Sequence, residues 1–497
     1  MRTTGEQPMR ASLRAIGVRA FVVLFVIAIA VGPSCAQDLA PWAGGGPGPG
    51  PAASGEAGGS TAPTRPTPGS PTGIDLTVPR AERGGTGTEP TEAAAASEVA
   101  APSEPEAAAP PSLLMRALGI EDSPVKLYGW IQNSYTGNTN GTPRNGINFG
   151  VYPNHLANRW QGNQYYFIVE NPIERNDRVN LGFRYDVLFG NDWQFTKDYG
   201  LFDRAFLPNH FAGVDFPQIY GEIHLPWLTR GGIDFKGGRW YSPAGYEGVQ
   251  AIARPLLSVP YTLNFTPFTF FGLLGALHLT DQVNLLSGTV NGWDRWIDRS
   301  YKWSYIGGLT WTSKDSGTSF NSVFVVGPDQ LPRFESPSNP FTPTGVTPPP
   351  FLAGRRNPGY GGNDRLYWST VLTRQWSKKL TEALQSDQIF DANTPGFGPG
   401  GTAHNTEWYS LAHWFLYELH PKVLGVWRAE VFRDNNGAAT GVADTFYEMT
   451  LGLKLTPRPW LWVRPEARYD WAKSTHPFND DTRRSQLTLA IDLILLF

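Results

Sequence analysis

From Val125 to Phe497 apolar and polar residues alternate with a period of two, in segments of about ten residues. In "RVNLGFRYDVLF", Val179, Leu181, Phe183, Tyr185, Val187 and Phe189 share one face, and Arg178, Asn180, Arg184 and Asp186 the other. In "WLWVRPEARYDW", Leu461, Val463, Ala467, Tyr469 and Trp471 oppose Arg464, Glu466, Arg468 and Asp470. "KVLGVWRAEVF" is mixed, because Leu424, Val426 and Phe432 share a face with Arg428 and Glu430. The closing "LTLAIDLILLF" sets Leu487, Leu489, Ile491, Leu493, Leu495 and Phe497 against Thr488, Ala490 and Asp492. Such alternation predicts strands whose two faces meet different surroundings. About sixteen candidates follow one another, near 126–136, 163–171, 178–189, 217–227, 232–241, 267–279, 282–292, 301–312, 318–327, 364–376, 379–390, 405–418, 422–433, 444–456, 460–472 and 484–497. Gly, Pro, Asn and Asp separate them, as turns require.

A soluble β-protein also alternates, with its apolar face inward. One sheet of sixteen strands, however, encloses more space than side chains can fill. A membrane barrel inverts the pattern: apolar faces meet lipid and polar faces meet a wet lumen. Aromatic residues near strand ends suit the girdles of such a barrel: Tyr128 and Trp130, Tyr165 and Tyr166, Trp227, Trp240 and Tyr241, Trp303, Trp311, Tyr367 and Trp368, Trp408 and Tyr409, Trp460 and Trp462. Beyond the first forty residues no segment reaches the ~18 apolar residues of a helical span. Its strongest contender, "FTFFGLLGALHL", is short and holds Gly and His. Backbone groups in lipid need internal partners, which leaves a closed barrel. The fold class expected is all-β, a transmembrane antiparallel β-barrel of about 16 strands (14–18) over residues 125–497.

The preceding chain reads differently. Arg2, Arg10, Arg14 and Arg19 lead into an unbroken apolar run from Ala20 to Val31, and Ser34-Cys35-Ala36 offers small residues for cleavage. This predicts a signal peptide over residues 1–36. A lipoprotein, with Cys35 acylated, is the alternative, but Gly32-Pro33-Ser34 lacks the usual aliphatic residue. Residues 37–112 are rich in Pro, Gly and Ala and predict a disordered linker. Residues 113–124 predict a short helix or connector.

Charge sharpens this division. The whole chain carries -3, of which the leader contributes +3 and the linker -6, leaving the barrel near neutral. That argues against a nucleic-acid partner and predicts weak ion selectivity. The single Cys excludes a disulfide framework. No G-x-S-x-G, H-E-x-x-H or P-loop occurs, so no enzyme and no cofactor or metal is expected. "DNNGAATGVAD" at 434–444 has the look of a calcium loop but lacks its ligand at position five and its closing Glu, so a hairpin loop is expected.

Three stretches carry a resemblance. Gly238 to Glu247 fits G-x-x-x-[ST]-P-x-G-Y-E, Asn264 to Thr269 fits N-F-x-P-F-T, and Asn291 to Asp294 reads N-G-W-D. With the opening strand "KLYGWIQNSYT", they resemble the OmpL-like porin-2 family of β-barrels. The resemblance covers residues 125–497 and implies a bacterial outer-membrane porin, without a named solute.

On this reading the function is a water-filled channel for passive diffusion of small hydrophilic solutes and ions. The candidate pore-lining residues are Arg184, Asp186, Arg428, Glu430, Arg464, Glu466, Arg468, Asp470 and Asp492, spaced two apart in charged stripes. Each could equally be a brace between strands. The segment 242–267, with Tyr246, Glu247 and Arg254, is too long for a turn and is either a constriction loop or an ordinary cap. Residues 328–363 form another long loop, expected outside the cell. The terminal Phe497 resembles the signal read by barrel-assembly machinery. The expected partners are that machinery, the outer-membrane bilayer, small solutes and, as an open option, further copies in a homo-oligomer. Two rival functions remain: a structural or adhesive barrel tying the membrane to the cell wall through the linker, and a barrel-embedded hydrolase.

Overall fold

The computed structural model describes residues 111–198, 200–201, 212–297, 302–328, 364–394 and 396–497. The expected signal peptide, nearly all of the linker and nearly all of the 328–363 loop lie outside them. A short helix, Leu113–Leu118, precedes the barrel; Ser112 caps its start and Gly119, with φ 66°, ends it.

All sixteen expected strands form. They are β1 (Lys126–Asn138), β2 (Arg159–Asn171), β3 (Asn180–Gly190), β4 (Gly213–Asp215), β5 (Ile219–Leu225), β6 (Ile233–Tyr241), β7 (Thr269–His278), β8 (Val283–Trp293) and β9 (Ser304–Thr312). The series continues with β10 (Thr318–Gly327), β11 (Arg365–Ser377), β12 (Leu380–Thr394), β13 (His404–His420), β14 (Val423–Asp434), β15 (Asp444–Arg458), β16 (Leu461–Ala472) and β17 (Ser485–Leu496). The three-residue β4 was not anticipated. It and β5 both pair with β3, so together they make one stave and the barrel has sixteen.

Each stave pairs antiparallel with its sequence neighbours, and β1 pairs with β17 to close the ring. Closure leaves no sheet edge unpaired in lipid. Connections alternate in length. Seven short turns, such as 378–379 and 421–422, lie at one end. The long connections, 139–158, 191–212 and 242–268 among them, lie at the other. Short periplasmic turns and long outer loops are the usual arrangement of outer-membrane barrels.

The two faces separate cleanly. On β17, Leu487, Leu489, Ile491 and Leu493 are 36–53% exposed, whereas Thr488 and Asp492 are 1% exposed. Outward residues form the lipid surface and inward ones are buried within the barrel. Ile494 and Leu496, which break the alternation, pack inside against Trp130, Tyr166 and Trp462 near the short-turn end.

Only part of the expected aromatic girdle faces outward. Tyr165, Trp227, Trp303, Trp368 and Trp460 are exposed, but Trp130, Tyr166, Trp240, Tyr241, Tyr367, Trp408 and Trp462 are buried inside. Adjacent aromatics point to opposite faces of a strand, so Tyr165-Tyr166 and Tyr367-Trp368 each send only one ring to lipid. The inward face also departs from a uniformly wet wall. Leu286, Ile306, Val323 and Val371 line one side and are buried in a core shared with Tyr246, Phe265 and Phe268. An inward-folded loop supplies those three rings.

Candidate functional site

The three family-like stretches meet at the base of that loop. Gly238 to Glu247 ends β6 and enters it, Asn264 to Thr269 leaves it, and Asn291 to Asp294 ends β8 beside it. The base is closed by the Ser242 amide donating to the Phe268 carbonyl at 2.9 Å. Asp294 Oδ1 accepts the amides of Phe268 and Thr269 at 3.0 and 2.9 Å.

From this base, residues 242–268 cross the inside of the barrel, and their contacts trace the crossing. The Pro243 carbonyl accepts from Asn321 of β10 at 2.9 Å. The Tyr246 amide donates to Gln385 of β12 at 2.7 Å, and the Tyr246 ring packs on Trp414 of β13. Glu247 accepts from Trp414 Nε1 at 2.8 Å and faces Arg428 of β14 at 3.3 Å. Farther on, Gln164 of β2 exchanges two hydrogen bonds with the backbone of Val249 and Ala251.

The charged wall then grips the loop's backbone. Glu466 accepts the amides of Leu257 and Ser258 at 2.9 and 3.1 Å. Glu430 does the same for Tyr261 and Thr262, the latter at 2.8 Å. Arginines take the carbonyls: Arg464 donates to Ala251 and Arg254 at 2.9 and 2.6 Å, Arg428 to Ser258 at 2.6 Å, and Arg468 to Val259 at 2.5 Å. Each of these arginines also holds a carboxylate of the wall. Arg464 binds Asp492 through Nε at 3.0 Å, Arg468 binds Asp470 at 2.9 Å, and Arg428 binds Glu448 at 2.6 Å. Bare charges in such a site would be costly, and pairing plus hydrogen bonding offsets that cost.

The nine candidate wall residues therefore all point inward, but they fall into two groups. Seven, from Arg428 to Asp492, form the clamp around the loop. Arg184 and Asp186 pair with each other at 2.8 Å on the β3 side, where Asp186 accepts from the Tyr166 hydroxyl at 2.6 Å. Tyr246, Glu247 and Arg254 all lie in the inward loop and are buried. Burial holds the Glu247 carboxyl above its ordinary range and lowers the Arg254 guanidinium to about 10. Across from Arg254, burial raises Asp192, in the connection after β3, to about 6.

Several site residues escaped the sequence reading. Glu448 and Gln132 lie on inward faces and could have been found by alternation alone. Asp192 and Gln164 could not, because an irregular connection and a register shift in β2 place them. The 434–444 segment is a hairpin loop: Asp434 accepts the amides of Gly437, Ala438, Ala439 and Thr440 at 2.8–3.1 Å. Its carboxylate is thus used by its own loop.

No curated protein sequence matches the chain. Among solved structures, OprB of Pseudomonas putida in its high-pH form is 12% identical, covering 79% of this chain and all of its own, with a TM-score of 0.49. The outer membrane channel DcaP of Acinetobacter baumannii is 9% identical over 75% of this chain and 97% of its own, with a TM-score of 0.46. OmpF of Salmonella typhi, in complex with daunomycin, is 10% identical over the same shares, with a TM-score of 0.45. The profile of one family, described as "Putative beta-barrel porin-2, OmpL-like", matches residues 124–497. With its closed barrel of sixteen staves and that match across the whole barrel, the chain belongs to this family of outer-membrane porins.

Proposed function

We propose that the protein is a channel for passive diffusion of small hydrophilic solutes and ions across the bacterial outer membrane. The observation that carries this reading is the loop 242–268, clamped inside a sixteen-stave barrel by charged residues of the wall. A loop held so narrows the route, and the residues around it act on what passes. Arg184, Asp186, Arg428, Glu430, Arg464, Glu466, Arg468, Asp470 and Asp492 are the proposed pore-wall residues; Tyr246, Glu247 and Arg254 are those of the constriction. Residues 1–36 act as the export signal, the linker 37–112 spans the space beneath the membrane, and Phe497 is the signal for barrel assembly. Planar-bilayer recording on purified protein tests the channel: discrete conductance steps are expected, and their absence would remove it.

A second reading is favoured by the packed apolar side of the interior, where Ile306 and Val323 are completely buried. It is a barrel closed by its own loop, serving as a structural or adhesive anchor through the linker. Such a barrel gives no conductance, yet still sediments with the cell wall unless residues 37–112 are deleted.

A further inference from the structure

The outward face is apolar over most of the barrel, but toward the short-turn end three neighbouring staves place ionisable side chains on it. They are Arg374 of β11, Glu382 of β12 and His413 of β13, each beside a buried, inward-facing Thr373, Ala383 or Ala412. The membrane boundary at that end is marked by Trp227, Trp376 and Trp460, which are exposed and lie in or beside short turns. Exposed tryptophans of this kind sit at headgroup level. Arg374 and Glu382 stand directly opposite each other in the ladder. The carboxylate is nevertheless turned elsewhere: Trp376 Nε1 donates to one of its oxygens at 2.5 Å, and His413 Nε2 bonds the other at 2.7 Å. Arg374 instead donates through Nη1 to the Thr318 hydroxyl, with its guanidinium 5.7 Å from the centre of the Trp376 ring. Among the described residues its Nε and Nη2 have no hydrogen-bond partner.

The turns below this group add charge. Turn 378–379 carries Lys378 and Lys379, and the flanking turns 313–317 and 421–422 carry Lys314 and Lys422, all exposed. With Arg374 these make five cations against the three carboxylates of Asp315, Glu382 and Glu418, so the sector is positive. We infer that it is a docking site for an anionic glycerophospholipid, with Arg374 holding the phosphodiester. The two non-bridging oxygens match the planar Nε–Nη2 edge of the guanidinium. The lysines below attract the headgroup, as basic side chains do at an anionic membrane surface. The acyl chains lie along Leu372, Leu384 and Leu411, which are exposed on the same outward face farther from the turns. Trp376 and His413 are positioning residues: by occupying Glu382 they keep its carboxylate off Arg374. The inference needs the barrel in its membrane and does not depend on conduction.

The test is native mass spectrometry of the full-length protein in detergent, after incubation with equal amounts of phosphatidylglycerol and phosphatidylcholine. Phosphatidylglycerol is expected to be retained about fivefold over phosphatidylcholine, the factor that one basic side chain contributes at an anionic surface. Equal retention of the two lipids would overturn the inference. Arg374→Gln should lower the retained phosphatidylglycerol about fivefold, and Arg374→Lys, which keeps the charge without the planar edge, about twofold. Arg178→Gln, which removes an exposed cation from the β2–β3 turn, should leave it unchanged. No change in Arg374→Gln, or an equal loss in Arg178→Gln, would overturn the assignment. Excess inorganic phosphate should not displace the lipid; displacement would make this an anion site and remove the lipid. If Arg374→Gln instead splits an oligomer while retained lipid is unchanged, the sector holds a second copy and the inference falls. A variant that fails to fold is recognised by loss of its heat-dependent gel shift. Arg374→Lys then decides in place of Arg374→Gln, and unchanged retention there overturns the assignment.

Discussion

At the scale of single residues, the inner wall is a set of charges that satisfy one another and the loop. Asp492 shows what this implies. It sits in the strongly apolar closing strand, yet it faces inward to Arg464 and accepts from Gln132 at 2.6 Å. Asp492→Ala leaves Arg464 buried without its carboxylate, a defect of about 3–5 kcal/mol. The temperature at which the folded gel band disappears should drop clearly, whereas Leu489→Ala on the lipid face should barely move it. Asp192 gives a pH dependence. Its carboxyl is raised to about 6, so it gains a proton as pH falls through that value. The charge beside Arg254 is then lost, while Arg464 remains nearby together with Asp492 and Glu247. Because burial raises this carboxyl above its unfolded value, the folded state takes up the proton first, so the folded gel band should survive to a higher temperature at pH 5 than at pH 7, and Asp192→Asn should reduce the difference.

At the scale of elements, the inward loop and the last strand each depend on backbone contacts. Glu430 and Glu466 hold four consecutive-pair amides of the loop, and each charged hydrogen bond contributes about 1.5–3 kcal/mol. The double variant Glu430→Gln with Glu466→Gln should loosen the loop without opening the barrel. Noisier, larger conductance steps with an unchanged heat-dependent gel shift are the expected record. The seam between β1 and β17 is sealed at its end by Phe497, whose amide and carbonyl pair with those of Gly129 at 3.0 Å. A Cβ at Gly129 would lie 2.1 Å from the Tyr166 carbonyl oxygen and 2.8 Å from the Phe497 ring. Gly129→Ala should therefore reduce the yield of folded barrel, as should deletion of Phe497, both read as the fraction of heat-modifiable protein in membranes. The strands themselves were legible almost to their ends, because alternation persists wherever one face is lipid and the other is not. The β4 segment was not, since three residues are too few to show a period.

At the scale of the whole molecule, a ring of sixteen staves solves two problems together. It pairs every stave on both sides, and it surrounds a space that chain segments from one end can enter. Near-neutral charge over residues 125–497 leaves the field inside to local pairs, and most of those pairs are internally balanced. Single-channel reversal potentials in a salt gradient should accordingly show only weak selectivity. Arg428→Gln should shift the preference toward cations, since it removes a positive charge beside Glu247 and Glu448.

By itself, the sequence determined the class of fold, the number of staves to within about two, and the alternation that sorts charged and aliphatic residues between the two faces. Those properties follow from a local rule: successive side chains on a strand point to opposite sides, and lipid selects one side. It also showed that 242–267 is too long for a turn. Only the tertiary structure decided where that segment goes, which carboxylates receive its amides, and which arginines take its carbonyls. These depend on residues brought together from β2, β12, β14, β16 and the connection after β3. Closure of the barrel sets their meeting, and no spacing along the chain encodes it.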